Sequence, residues 1–358
     1  MELKSEYMRT EEKVIFALRE LYSKYGYAQF KMSKFEEYDL YVRNKDFLVS
    51  DSVITFNDTN GKLMALKPDV TLSIIKNSTD TNGVQKLYYN ENVYRVSKNT
   101  HSFKEIMQTG LECIGNLGTY NICEVVTLAA KSLSAISDKF VLDISHMGLI
   151  SSVLEGINDE TKSQILQYIS EKNTHDLVAL CDTEGIDSTI IVALINVCGA
   201  VDEIKEKLSA IPFPETSTEA LTEIYAVADI LKNSADKDKI HFDFSIINDM
   251  NYYSGIVFKG YIEGIPTGIL AGGRYDLLMS KMGKRSGAIG FAVYLDFLER
   301  YMEETKEYDT DILLLYNECD RLSEVLKTVD TLTTQGNRVL AQTDIPEGLK
   351  YKTLLRFE

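Results

Sequence analysis

Residues 248–300, NDMNYYSGIVFKGYIEGIPTGILAGGRYDLLMSKMGKRSGAIGFAVYLDFLER, carry three strand signals separated by glycine breaks. Tyr252 and Tyr253 precede a Ser254-Gly255 break and an alternating apolar run at 256–258, which predicts a buried strand. A second signal ends at Ala271-Gly272-Gly273-Arg274-Tyr275-Asp276. Two adjacent glycines let the backbone bend sharply or approach a ligand, and they set Arg274 and Tyr275 at the bend. The third run, 287–293, leads directly into a helix starting near Tyr294. By itself this stretch fits an antiparallel meander with core tyrosines as well as it fits the wall of a small-molecule pocket. The upstream segments separate the two readings.

Leu63-Met64-Ala65-Leu66-Lys67-Pro68-Asp69-Val70-Thr71 reads as a strand, a proline turn and the start of a helix, with Asp69 and Thr71 at the junction where ligand-facing polar groups are common. Val93-Tyr94-Arg95-Val96-Ser97 follows, then a polar loop at 98–104, then a second strand through Gly115. Alternation in that strand puts Gln108, Gly110 and Glu112 on one face and Met107, Leu111 and Cys113 on the other.

Five strings in order, Lys67-Pro-Asp-Val-Thr71, Tyr94-Arg95, Gln108-Thr-Gly-Leu-Glu112, Tyr252-Tyr-Ser-Gly255 and Gly272-Gly-Arg-Tyr-Asp276, carry a family resemblance. Over roughly residues 1–300 the chain resembles the histidyl-tRNA synthetases. Within that family it is similar to the catalytically inactive paralogues that serve as regulatory subunits of ATP phosphoribosyltransferase. The resemblance implies an α+β class II aminoacyl-tRNA synthetase-like fold, an antiparallel sheet flanked by helices. It also implies a histidine pocket made by Asp69, Thr71, Gln108, Glu112, Tyr252, Tyr253 and Tyr275. Carboxylates suit an α-ammonium, and tyrosines offer an imidazole both a wall and a hydroxyl.

On the amino-acid side Asp69 is shorter than the Glu the family has there, and the other departures fall on the nucleotide side. The family's active members carry an Arg where this chain has Asn248 and another where it has Phe297, so that Arg95 is the one nucleotide-site arginine expected to remain. Each fixed donor aimed at the developing charge in adenylate formation is worth about 3 kcal/mol, so losing two leaves little synthetase chemistry. Ser97 also stands where the family has Glu, and the loop at 98–104 has no Arg.

Composition fits a soluble cytoplasmic protein of two or three domains, with 358 residues, 44% of them hydrophobic. No apolar run reaches the length of a membrane span, and the N-terminus MELKSEYMRTEEK has no signal-peptide core. The net charge of -16 gives a polyanion no generic attraction. Lys281, Lys284 and Arg285 gather locally and read as a solvated turn. Cys113, Cys123, Cys181, Cys198 and Cys319 are odd in number and scattered, predicting free buried thiols. His101, His146, His175 and His241 form no ligand-spaced cluster with them, so neither metal nor cofactor is expected. His101 reads as an exposed loop residue.

Four segments are expected. Residues 1–145 form the first part of a synthetase-like core, opening with an amphipathic helix at 5–25 whose inner face is Val14, Ile15, Leu18 and Leu21, and Gly26 as its stop. The resemblance places a dimer-forming segment at about 27–43. Val125, Val126, Leu128 and Ala129 mark a buried helix after Gly115. Residues 146–239 show helical period throughout and read as a helical insertion packed on its own apolar stripes. Residues 240–305 return to the core, and 306–358 form a short α/β tail with strands at 311–316, 338–342 and 351–357 around a helix at 321–335.

The expected function is a noncatalytic regulatory subunit that pairs with a short-form ATP phosphoribosyltransferase catalytic subunit. The resemblance implies a dimer inside a hetero-oligomer, commonly octameric, with histidine as feedback ligand. A divergent histidyl-tRNA synthetase is the alternative, disfavoured by Asn248, Phe297 and a tail shorter than an anticodon-binding domain, and tRNA is not expected as a partner. An amino-acid sensor with another partner is the third reading.

Overall fold

The computed structural model describes residues 8–44, 53–79, 83–97, 101–247, 252–301, 307–317 and 321–357. Compactness divides the chain into two units, 1–302 and 303–358.

The first unit opens with helix α1, Thr10–Lys24, which buries Val14, Leu18 and Tyr22. Its predicted first residues, Ser5 to Tyr7, lie outside the described residues, and Met8 and Arg9 precede the helix, where Arg9 N donates to Glu12 Oε2 at 2.8 Å. Strand β1 (Ala28–Gln29), strand β2 (Phe35–Glu37), helix α2 (Tyr38–Arg43), strands β3 (Thr55–Asn57) and β4 (Leu63–Leu66) and helix α3 (Thr71–Asn77) come next. A long hairpin follows, β5 (Val84–Val96) and β6 (Phe103–Gly115), paired along its whole length. Helix α4, Thr119–Ser134, buries Val125, Val126, Leu128 and Ala129, and leads to strand β7, Phe140–His146.

Residues 147–239 form helices α5 (Met147–Val153), α6 (Asp159–Ser170), α7 (Thr174–Glu184), α8 (Thr189–Ile195), α9 (Ile204–Ser209) and α10 (Thr218–Leu231). Between α8 and α9 runs a three-residue strand, β8 (Cys198–Ala200), which hydrogen-bonds β9 (Ile240–Asp243) antiparallel. Helical periodicity passes over β8 because three residues are too few to show alternation. The chain returns through β10 (Ile256–Ile262), β11 (Leu270–Arg274), helix α11 (Asp276–Lys281), β12 (Gly287–Tyr294) and helix α12 (Asp296–Tyr301).

These strands build one nine-stranded sheet, ordered β1-β5-β6-β12-β11-β10-β7-β9-β8. It is antiparallel except where β1 meets β5 and β7 meets β9. Alternation sends side chains to two cores. Leu111, Cys113, Ile289, Phe291 and Val293 join Leu18, Tyr22 and the α4 residues on one face, and this core continues into Leu177, Ile191, Ile204 and Ile224 of the inserted helices. On the other face Tyr89, Val93, Ile114 and Ala288 pack with Tyr41, Leu72, Ile74, Ile75, Leu278 and Met279. The small sheet β2-β4-β3 belongs to this second layer. Glu112 is in register with Gly290, and so faces the second layer.

The second unit is a parallel sheet, ordered β14-β13-β15, of β13 (Thr310–Leu315), β14 (Val339–Gln342) and β15 (Tyr351–Arg356). Helix α13, Leu322–Thr334, makes the crossover that parallel pairing of β13 and β14 requires. Ile312, Leu313, Leu314 and Leu315 are buried.

Cys113, Cys123 and Cys181 are buried free thiols, whereas Cys198 is exposed, because β8 is an edge strand; Cys319 lies outside the described residues. Among the described residues no helix is long and apolar enough to cross a membrane.

Candidate amino-acid site

Glu112 is the centre of the site. It is 2% exposed on β6, in register between Leu87 of β5 and Gly290 of β12. A Cβ at position 290 would stand 1.7 Å from Glu112 Oε2, so glycine there is what leaves room for the carboxyl. Thr71 Oγ1, at the start of α3, donates to Glu112 Oε1 at 2.9 Å, and the Tyr275 hydroxyl donates to Oε2 at 2.5 Å. The Tyr252 hydroxyl is within hydrogen-bonding reach of Thr71. Its ring lies 5.8 Å from Tyr275 and 4.6 Å from Tyr253, centroid to centroid. Glu112, Thr71, Tyr252, Tyr253 and Tyr275 therefore form one connected group.

Burial pushes the Glu112 carboxyl up to about 8, against the smaller pull of its hydrogen bonds from Tyr275 and Thr71, and the nearby Asp69 carboxyl raises it further. Asp69 is itself raised by burial, opposed by the Leu72 and Thr71 backbone N–H groups and by Arg95. Its Oδ1 accepts from Leu72 N at 2.9 Å, so this carboxylate closes the first turn of α3 at the rim of the group. A carboxyl held by neutral hydroxyls in an apolar surround gains most from a cation, which replaces a weak partner by a charged one.

Gln108 shares Glu112's face of β6 but is in register with Tyr294, roughly 13 Å along the strand at 3.3 Å per residue. It lies beside Tyr294, whose hydroxyl Arg95 also reaches. Arg95 Nε donates to the Pro68 carbonyl at 3.0 Å, and the guanidinium is within hydrogen-bonding reach of the Tyr294 hydroxyl. Phe297, half-buried on α12, packs against the first core with its ring 6.4 Å from that of Tyr294. Asn248 lies outside the described residues, as do residues 98–100 of the loop; His101 is exposed, with φ 52°.

A histidyl-tRNA synthetase family model matches residues 1–298. An ATP phosphoribosyltransferase regulatory subunit from Caldanaerobacter subterraneus subsp. tengcongensis is 30% identical over 338 residues, 90% of this chain and 87% of that protein. The chain belongs to this synthetase-like regulatory-subunit family. A second member, from Oceanobacillus iheyensis, is 29% identical over 294 residues, 80% of this chain and 72% of that protein. Among solved structures, an ATP phosphoribosyltransferase regulatory subunit/histidyl-tRNA synthetase from Bacillus halodurans superposes with a TM-score of 0.78 at 22% identity, covering 99% of this chain and 96% of that one. The ATP phosphoribosyl transferase complex from Thermotoga maritima gives 0.64 at 19% identity, covering 79% and 96%. The fold is the class II synthetase fold, as the five ordered strings imply.

Three parts of this family member's site were not among the expected pocket residues. Tyr89, buried on β5, turns its hydroxyl toward Gly110, where a Cβ would lie 2.5 Å from it. The pair Tyr88-Tyr89 carries the alternation that would have found it. Lys67 is fully buried with its Nζ on Glu91 Oε2 at 2.6 Å, tying the end of β4 to β5. Arg274 pairs with Glu223 of α10 at 2.8 Å, a contact between the insertion and the core that no local pattern encodes.

Proposed function

We propose that this chain is the noncatalytic regulatory subunit of an ATP phosphoribosyltransferase. A separate short-form catalytic subunit joins ATP to phosphoribosyl pyrophosphate, the first step of histidine biosynthesis, and requires this chain for activity and for feedback control by histidine. The observation that carries the proposal is the division of the site. The groups suited to an amino acid, Glu112, Thr71, Tyr275 and Tyr252, are joined to one another, while the nucleotide side keeps one arginine, Arg95, beside Pro68 and Tyr294. Adenylate formation needs fixed cations around the α-phosphate, each worth about 3 kcal/mol, and Phe297 supplies none.

The retained half offers groups chemically suited to histidine. Its ammonium takes the Glu112 carboxylate, its imidazole lies among Tyr252, Tyr253 and Tyr275, and Asp69 adds negative charge at the rim. Histidine then inhibits by binding the inactive arrangement of the complex more tightly than the active one. The complex is cytoplasmic, a dimer of this chain within a hetero-octamer, and tRNA is not a partner.

The test is turnover by the short catalytic subunit of the same organism with and without this chain, beside histidine-dependent exchange between ATP and pyrophosphate by this chain alone. Strong activation without exchange is expected. Exchange without activation would make the chain a synthetase.

A further inference from the structure

Tyr275 reaches Glu112 from between two residues bonded elsewhere. Arg274 Nε donates to Asp276 Oδ2 at 2.7 Å, and Nη1 donates to Glu223 Oε2 at 2.8 Å. Asp276 Oδ1 accepts from Ala288 N at 2.9 Å, Asp276 N donates to Ser254 Oγ at 3.2 Å, and Tyr275 N donates to the Ala288 carbonyl at 2.9 Å. Tyr275 has φ -131° and ψ 48°, outside the helix and strand wells, so its direction is set by these flanking bonds rather than by a regular element.

The same bonds continue into the insertion. Glu223 Oε1 meets His146 Nε2 at 3.2 Å, and His146 Nδ1 accepts from Leu149 N at 3.1 Å at the start of α5. With Nδ1 accepting, the imidazole proton sits on Nε2 and is donated to Glu223. Gly255 lies under the ion pair, where a Cβ would come 3.0 Å from Arg274 Cδ and 3.3 Å from Glu223 Oε1. A continuous series of hydrogen bonds thus links α5 and α10 to the strand end that aims the Tyr275 hydroxyl.

We propose that Glu223 and Arg274 are positioning residues of the amino-acid site, by which the helical insertion holds Tyr275 on Glu112. A guanidinium fork can fix two carboxylates in one plane, which an ammonium cannot. The insertion is then part of the ligand site without touching the ligand. The affinity readout rests on the histidine reading above, whereas a spectroscopic one does not.

The full chain with E223Q, R274Q, R274K and the double E223Q/R274Q is measured in two ways. The first is the infrared carbonyl band of the protonated Glu112 carboxyl at about pH 6, where it holds its proton, assigned by its loss in E112Q. The second is calorimetric titration with histidine. The band is expected to shift in each single variant, as the Tyr275 hydrogen bond changes. R274K should behave as R274Q does. Histidine affinity should fall roughly tenfold in each, and no further in the double variant, as for residues acting in series. In a Y275F background E223Q should add no shift, which guards against a general loss of structure. An unmoved band in folded E223Q, or losses that multiply in the double variant, would overturn the proposal. A wild-type chain that gives no heat with histidine would sink the histidine reading, and the band would still judge the positioning role.

Discussion

On the amino-acid side of the site, Glu112 takes its hydrogen bonds from two uncharged hydroxyls; on the nucleotide side, Arg95 gives its Nε to a main-chain carbonyl and stands against Tyr294. The same strands, β5, β6 and β12, carry both. A buried carboxyl held by hydroxyls is improved by an incoming cation, whereas a single guanidinium, its Nε on a main-chain carbonyl, leaves most of the charge that builds on a reacting phosphate unmet. The loss of cations at one end leaves the hydrogen bonds of Glu112 at the other in place, while Asp69, whose charge Arg95 favours, couples the two electrostatically.

The largest effect expected breaks the amino-acid side outright. In Gly290→Ala the new methyl would lie 1.7 Å from Glu112 Oε2 and 2.4 Å from the Leu111 carbonyl. The carboxyl can swing away, but the carbonyl belongs to the neighbouring strand and can move only with it. Overpacking of this kind costs about 3 kcal/mol, read as a lower denaturant midpoint, with histidine binding abolished. A variant that melts like the wild type and binds histidine would place the ligand elsewhere.

The next effect sharpens the comparison through protons. The Glu112 carboxyl, ordinarily near 4.5, is lifted by burial to about 8, so between those values the folded chain holds a proton that the unfolded chain has released. Stability therefore falls as pH rises from about 4.5 to about 8 and levels off above, and Asp69, also raised by burial, adds to the same slope. E112Q should flatten the decline. A cationic ligand must displace the Glu112 proton below about 8, so histidine affinity should rise with pH, approaching tenfold per unit, with about one proton released at neutral pH. E112Q should weaken binding roughly ten- to hundredfold and release none. Calorimetry in two buffers of different ionisation heat reads the proton count, and a count of zero for the wild type would contradict the neutral carboxyl.

Much of this was legible in residues met one after another. Alternation along β6 correctly put Gln108 and Glu112 on one face, and the tail's strands and helix fall within a residue or so of their predicted ends. Alternation is a local property, however, and register is not. That Gly290 stands opposite Glu112, or that Gln108 belongs with Tyr294 and not with Thr71, depends on pairing between strands far apart in the chain. The Arg274–Glu223 pair is hidden for the same reason, since an exposed-looking Glu in a helix pattern announces no partner. Cys198 was misplaced because an apolar run does not say which of its residues an edge strand leaves outside.

The smallest expected effect tests whether the nucleotide side can be rebuilt by one residue. Phe297→Arg restores a cation at a position where active synthetases carry one. The arginine stem can lie along the apolar surface that the half-buried ring now covers and turn its head outward, so stability should change by no more than about 1 kcal/mol. Exchange between ATP and pyrophosphate should nevertheless stay undetectable. Asn248 remains neutral, so the nucleotide side is still short of a cation. Donors that act together on one transition state do not restore rate singly: each missing one costs roughly a hundredfold to a thousandfold, and the losses are shared. If exchange appeared in this variant, adenylate formation here would need no cation at position 248. A single side chain would then separate this regulatory fold from synthetase chemistry.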